Sequence, residues 1–226
     1  MMQEKGVEVN SKMEALFENT GRFFDQHPEF SKELIAAKEE YFSITGKIGE
    51  NDNEFGNRMN AFLLWFLFDY QLASTGTVPV DEYLAHLKAN GSTEDLEILN
   101  TQKKHLHSLF YFVKEKKDKI IVKDLYSKQK YSISDSRVLI GQEKDAFFET
   151  RVFEFGEERY FANFFIYHPI NVRRDIKRCV KQIRKKKEPI KPFLLKLHSY
   201  HTKWKRYRNI NIKSIYHFDN SVPEAK

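Results

Sequence analysis

The chain contains a single cysteine, Cys179, in 226 residues, which excludes an internal disulfide and any zinc cluster built from cysteines. Glycine is scarce, with 9 in the whole chain, and most of these fall at helix ends and turns. No P-loop, Gly-x-Gly-x-x-Gly or Gly-x-Ser-x-Gly sequence is therefore present to cradle a phosphate or present a nucleophile. His-Glu-x-x-His and Glu-x-x-His pairs are missing as well. The apolar run Ala61–Phe68 is far shorter than the ~20 residues a membrane span needs. The opening MMQEKGVEVNSK lacks the apolar centre of a signal peptide, so a soluble, cytoplasmic protein is expected.

What is present is aromatic and charged. Hydrophobic residues make up 41%, charged residues 31% and aromatics 15%, with Phe 20 and Tyr 11, enough to bury a sizeable core. The net charge of +6 conceals an asymmetry. Residues 172–213 hold 16 Lys/Arg against only Asp175 and Glu188, whereas residues 1–171 hold 21 basic and 28 acidic residues. The chain reads as an acidic body with a basic end.

The densest stretch is Arg58–Leu72, whose centre is apolar on every face and must be surrounded by its domain. Asp69 lies at its edge, near a helix C-terminus where the dipole disfavours a carboxylate, so a Lys or Arg partner from the strand-rich half is expected. Before it, Asn10 or Ser11 can cap a helix carrying Met13, Leu16, Phe17, Phe23 and Phe24, which His27-Pro28 ends. A second helix carries Phe30, Leu34, Ile35, Tyr41 and Phe42 and stops at Gly46; Gly49–Asn53 reads as an acidic loop. After the opening stretch, Pro79 starts a helix with Tyr83, Leu84 and Leu87 inward, closed by Asn90-Gly91. Ser92–Asp95 then resembles a capping box for a helix with Leu96, Ile98, Leu99 and Leu106.

From Leu109 to Tyr167 the runs become short, aromatic and β-branched: LFYFV, KIIVKDL, KYSIS, RVLI, AFFETRVFEF and RYFANFFIY. Lys117-Asp118, Tyr126–Lys128, Asp135-Ser136, Gly141-Gln142 and Gly156-Glu157 punctuate them as turns. Phe161, Phe165 and Tyr167 alternate with Tyr160, Phe164 and Ile166; burial statistics favour both sets as core, one under the barrel and the other beneath the helices. Helix returns after His168-Pro169, with a narrow stripe of Val172, Ile176, Cys179, Val180 and Ile183, and a second helix runs to about Tyr207. The fold class is α+β: an N-terminal helical bundle (1–108), a small antiparallel barrel-like sheet (109–168) and basic C-terminal helices (169–226).

The basic end is the strongest functional signal. Arg173, Arg174, Lys177, Arg178, Lys181, Arg184, Lys185, Lys186 and Lys187 cover most of its first helix. Lys203, Lys205, Arg206 and Arg208 surround Trp204 on the second. Phosphate backbones reward such a surface through counterion release, and interleaved aromatics stack on unpaired bases. The competing reading is a face that is merely solvated, or that docks on the chain's own acidic body. The narrow stripe lacks the Trp/Phe/Leu face of interfacial helices, which places an anionic membrane second to nucleic acid.

Other constellations are weaker. Arg174 and Arg178 have the Arg-x-x-x-Arg spacing of cyclic-dinucleotide receptors of the PilZ type, but they follow the strands where that barrel places its pair before them. Asp135-Ser136-Arg137 to Gly141 is also out of register with that family's Asp-x-Ser-x-x-Gly strand. His198 with His201, and His105 with His107, have spacings that metal sites use, though ordinary histidines explain them better. Cys179 is flanked by cations that favour a thiolate, yet its place on the apolar stripe argues for a small hydrophobe.

Trp65–Tyr70 (WFLFDY), Leu109–Phe112, Val122–Leu125 and Glu149–Val152 together resemble a pattern of uncharacterised bacterial proteins, with a helical N-terminal part followed by a strand-rich half. That resemblance covers about half the chain and implies no function. Such proteins often end in a cysteine-rich zinc tail, which this chain lacks. The leading expectation is non-catalytic nucleic-acid binding through the basic helices, without a cofactor. The alternatives are a scaffold whose basic end docks on an acidic protein partner, then a receptor for a cyclic dinucleotide or other anionic ligand. An enzyme ranks lower, because no set of converging acids and bases can be assembled from spacing.

Overall fold

A computed structural model describes residues 2–49, 51–90, 93–116, 119–134 and 147–218, with side chains from Ser11 onward. Five helices come first: α1 (Met2–Gln26), α2 (Phe30–Thr45), α3 (Phe55–Asp69), α4 (Pro79–Asn90) and α5 (Thr93–Gln102). Six strands follow: β1 (Leu106–Lys116), β2 (Lys119–Asp124), β3 (Lys130–Ile133), β4 (Phe147–Phe155), β5 (Glu158–Phe161) and β6 (Ile166–His168). After a 3-10 turn at Ile170–Val172 come α6 (Arg173–Lys186), α7 (Lys191–Arg206) and the short α8 (Ile212–Ile215). The protein is thus α+β in the expected order. No helix among the described residues is long and apolar enough to cross a membrane.

Several boundaries differ from the sequence reading. α1 continues through Asn10 and Ser11 instead of being capped there. α3 begins at Phe55 and ends at Asp69, because Leu72 turns away to bond Thr77 O and accept from Gly76 N–H, at 2.9 and 2.8 Å. Ile35 is exposed, since the buried stripe of α2 runs through Phe30, Ala37, Tyr41 and Thr45 and leaves it on the outer face. Leu106 belongs to β1, where it pairs with Val152. RVLI, the turns at 135–136, 141–142 and 117–118, Gly91 and Ser92 lie outside the described residues.

The sheet order is β3-β2-β1-β4-β5, antiparallel throughout, with β6 pairing the other half of the same β4 edge. RYFANFFIY divides into two strands because, after Ala162 N–H has bonded Arg151 O at 2.9 Å, residues 163–165 leave the ladder. There α3 substitutes for a strand: the Asn57 side chain donates to Phe165 O at 2.9 Å and accepts from Phe165 N–H at 2.8 Å. Ser134 N–H reaches Arg159 O at 2.8 Å, joining the end of β3 to β5 and curling the sheet into a half-barrel. Phe110, Ile120, Val122, Ile133, Phe148, Val152 and Phe161 fill it.

Strand alternation assigns the two faces. Phe148 and Val152 of β4 point into the half-barrel, while Phe147 and Phe153 join the two clusters beneath the helices. Tyr160, Phe164 and Ile166 are buried beneath the helices, whereas in the half-barrel set Phe161 is buried and Phe165 and Tyr167 pack half-buried against it. The second helix-side cluster seats Val172, Ile176 and Val180 with Leu194 and Leu197 on Leu109 and Phe147. This fixes α6 with its stripe inward and its other faces in solvent.

Candidate nucleic-acid interface

Ile176, Val180 and Ile183 are the buried residues of α6, and its other positions are exposed or half-buried. Arg174, Lys177, Arg178, Lys181, Lys185, Lys186 and the following Lys187 are all exposed. Asp175 pairs with Arg178 at 2.8 Å, and Glu188 meets Lys186 at 3.5 Å. Two cations of this helix turn partly inward. Arg173 lies 5.4 Å over the Phe147 ring, and Arg184 donates to Tyr126 O at 3.5 Å. Lys177 also approaches the Phe147 and Tyr111 rings, at 5.5 and 5.9 Å. Cys179 is half-buried, and burial raises its thiol pKa despite Arg178, in keeping with a small hydrophobe and against a reactive thiolate.

The end of α6 is strained. Lys187 adopts φ 59°, its N–H bonding Arg184 O while Glu188 N–H bonds Ile183 O, both at 3.1 Å. This is the Schellman closure, whose left-handed position glycine normally fills. Lys128, in the β2–β3 turn, has φ 65°. Tyr126 Oη, from the turn that contains Lys128, donates to Glu188 O at 2.9 Å and ties that turn to the end of α6.

The cations of α7 are placed differently. Arg58, almost fully buried, donates to Gly46 O, to Lys47 O at 3.1 Å and to Asp52 Oδ2 at 2.6 Å, and so moulds the acidic loop. Gly46 itself has φ 99°, and a Cβ there would lie 2.8 Å from Thr202 Cγ2, so glycine permits α7 to approach. The loop then receives the helix: Lys205 pairs with Glu54 at 3.2 Å, and Arg206 bonds Lys47 O and lies 3.6 Å from Asp52. His201 faces Glu54 Oε2 at 2.6 Å and Tyr167 O at 2.7 Å. Burial would raise the Glu54 carboxyl, but His201 and Lys205 hold it at about 2. Asp52 is likewise held below its ordinary value, by the Glu54 N–H and Arg58 against the effect of burial. Lys205 also lies 5.2 Å over the half-buried Trp204 ring. Lys203 and Arg208 remain exposed, Arg208 on the wall of an open cleft shared with Asp52 and Glu54. The basic end therefore divides: part of α7 docks on the acidic body, and α6 faces outward.

A third group of charges joins Asp69 and the His105/His107 pair to Glu149 and Arg151, which residue spacing did not single out as site residues. Between the two helix-side clusters, β1 and β4 carry His107, Glu149 and Arg151, all covered by helices. Arg151 donates to Asp69 at the end of α3 and to His105 Nε2, whose Nδ1–H donates to Gln102 O at 3.0 Å. Lys191, at the start of α7, pairs with Asp69 from outside. Asp69 thus has the partner expected from the strand-rich half, Arg151, and a second one besides. Burial opposes its ionisation, but Arg151 and Lys191 hold its pKa below the ordinary value. Burial and the Arg151 charge push His105 down to about 3. Glu149 Oε1 is hydrogen-bonded to His107 Nε2 at 2.9 Å. Burial pushes Glu149 up to about 8 and His107 well below its ordinary value, so both groups are shifted toward their neutral forms. The i, i+2 spacing of Glu149 and Arg151 between Phe147 and Phe153 is the signal that could have located this belt.

The remaining histidine candidates are structural. His198 Nδ1 lies 3.0 Å from Tyr41 Oη, and both groups are buried and shifted toward their neutral forms. No cluster of three or more His, Cys, Asp or Glu among the described residues has metal-holding geometry. The loop compared with the PilZ motif lies outside the described residues.

The model of a family of unknown function, DUF7986, matches residues 3–215, and the chain belongs to that family. No curated protein matches the chain, and neither does any solved structure.

Proposed function

We propose that the protein binds nucleic acid without catalysis, through the outward face of α6. The observation that carries this reading is one continuous solvent-facing helix surface holding Arg174, Lys177, Arg178, Lys181, Lys185, Lys186 and Lys187, whose one carboxylate, Asp175, is already paired. At 1.5 Å per residue, Arg174 to Lys186 spans roughly 18 Å, the length of about five phosphates along a strand. Support also comes from Lys187: a lysine stands where glycine would relieve strain, and local conflicts of that kind concentrate at functional positions.

The test is a titration of labelled oligonucleotide with the full chain and with a Arg174→Glu/Lys181→Glu/Lys185→Glu variant. These side chains are exposed, so the variant keeps its melting temperature. Wild type should bind at ~50 mM salt, and the variant at least tenfold more weakly. Absence of wild-type binding, or equal affinity of the two proteins, refutes the reading.

A second reading has one observation behind it. Lys205 and Arg206 already pair with Asp52 and Glu54, so this chain uses its basic end for protein carboxylates. An acidic protein partner on α6 would extend that use. It predicts pull-down of an acidic protein that nucleic-acid competitor does not displace.

A further inference from the structure

The turn after α7 exposes apolar surface amid cations. Tyr207 is 54% exposed and Ile210 49%. Tyr207 N–H closes α7 on Lys203 O at 2.8 Å, and Ile210 N–H bonds back to Tyr207 O at 3.1 Å, so Arg208 and Asn209 form the centre of a closed β-turn. Asn211 then caps α8 by accepting from Lys213 N–H at 3.0 Å. The ring is presented by hydrogen-bonded backbone, which lowers the ordering cost of binding. α8 packs against the 3-10 turn leading into α6, so this segment meets the start of the cationic helix, where Ile170 is 46% exposed and Arg174 faces solvent.

We propose that the Tyr207–Ile210 turn is a base-stacking platform, and that the nucleic acid held by α6 is therefore single-stranded where it meets this turn. The proposal rests on the nucleic-acid reading above and narrows it. Phosphates alone would be satisfied by lysines and arginines, and a duplex keeps its base faces covered by their neighbours. An exposed phenol ring next to the exposed Arg208 gains most from a base whose face is open, with that cation on an adjoining phosphate. Lipid is disfavoured because an interfacial segment needs a broader apolar face than one ring and two isoleucines.

Binding of the full chain to a labelled 20-nucleotide single strand, to the matching duplex and to anionic phosphatidylserine vesicles tests this. Wild type should prefer the single strand. Tyr207→Ala should weaken single-strand binding about tenfold and leave duplex binding unchanged, while Tyr207→Phe, which keeps the ring, should stay within about twofold. Equal single-strand affinity of Tyr207→Ala and wild type, a preference for duplex, or Tyr207-dependent vesicle binding each overturns the platform. If binding disappears with the α6 charge reversal but ignores strandedness and Tyr207, only this inference falls. If wild type binds no nucleic acid, the reading beneath it falls too.

Discussion

Replacing Asp69 with alanine isolates the buried belt between helices and sheet. The Arg151 side chain is 1% exposed and that of Asp69 8%, so the substitution strands a guanidinium whose Nε already lacks a partner. Its remaining acceptor would be His105, which is held neutral. Removing one partner of a buried pair costs about 3–5 kcal/mol, a large share of the ~5–15 kcal/mol that keeps a domain folded. At roughly 2–4 °C per kcal/mol for a chain of this size, the melting temperature should fall by about 6–20 °C. Lys191 makes a useful control. Its side chain is 53% exposed, so Lys191→Ala should cost about 1 kcal/mol or less. An Asp69→Leu/Arg151→Met double variant should recover most of the loss by exchanging the pair for apolar packing. Urea titration reads all three. If Asp69→Ala stays within ~1 kcal/mol of wild type, the belt is not the buried, mutually dependent network described above.

Two further outcomes are expected. Glu149 has a folded pKa of about 8, above the ordinary carboxyl value near 4.5, so its protonated form favours the fold below the lower value, and that stability is lost as pH rises through the upper one. Wild type should therefore lose stability relative to Glu149→Gln between about pH 5 and pH 8, by up to about 4 kcal/mol; parallel pH–stability curves would contradict this. Lys187→Gly relieves a φ of 59° and should stabilise the protein by about 0.5–1 kcal/mol while weakening oligonucleotide binding. Unchanged affinity in that variant would remove Lys187 from the interface.

Local rules carried much of the architecture. His27-Pro28 and Gly46 bounded helices where backbone sterics require it, and the short β-branched runs became strands of a curled sheet. Long-range partners were not legible. Nothing in the spacing of Asp52 or Glu54 announces that Arg206 and Lys205, some 150 residues on, would dock there. The split of RYFANFFIY depended on Asn57 offering a side-chain amide in place of a neighbouring strand. The cations of the basic end were all visible as charges. Their division into a docked helix and an outward one follows from which apolar residues, Val172, Ile176 and Val180 among them, found the second core cluster.

The most direct test of the central claim is the salt dependence of single-strand affinity for wild type and the α6 charge-reversed variant. Contact with about five phosphates predicts a slope of log K against log salt near −3.5, a loss of about a hundredfold between 50 and 200 mM, and a shallower slope by roughly 0.7 for each cation removed. A wild-type slope near zero, or the same slope in both proteins, would contradict the assignment of α6 as the surface that holds nucleic acid.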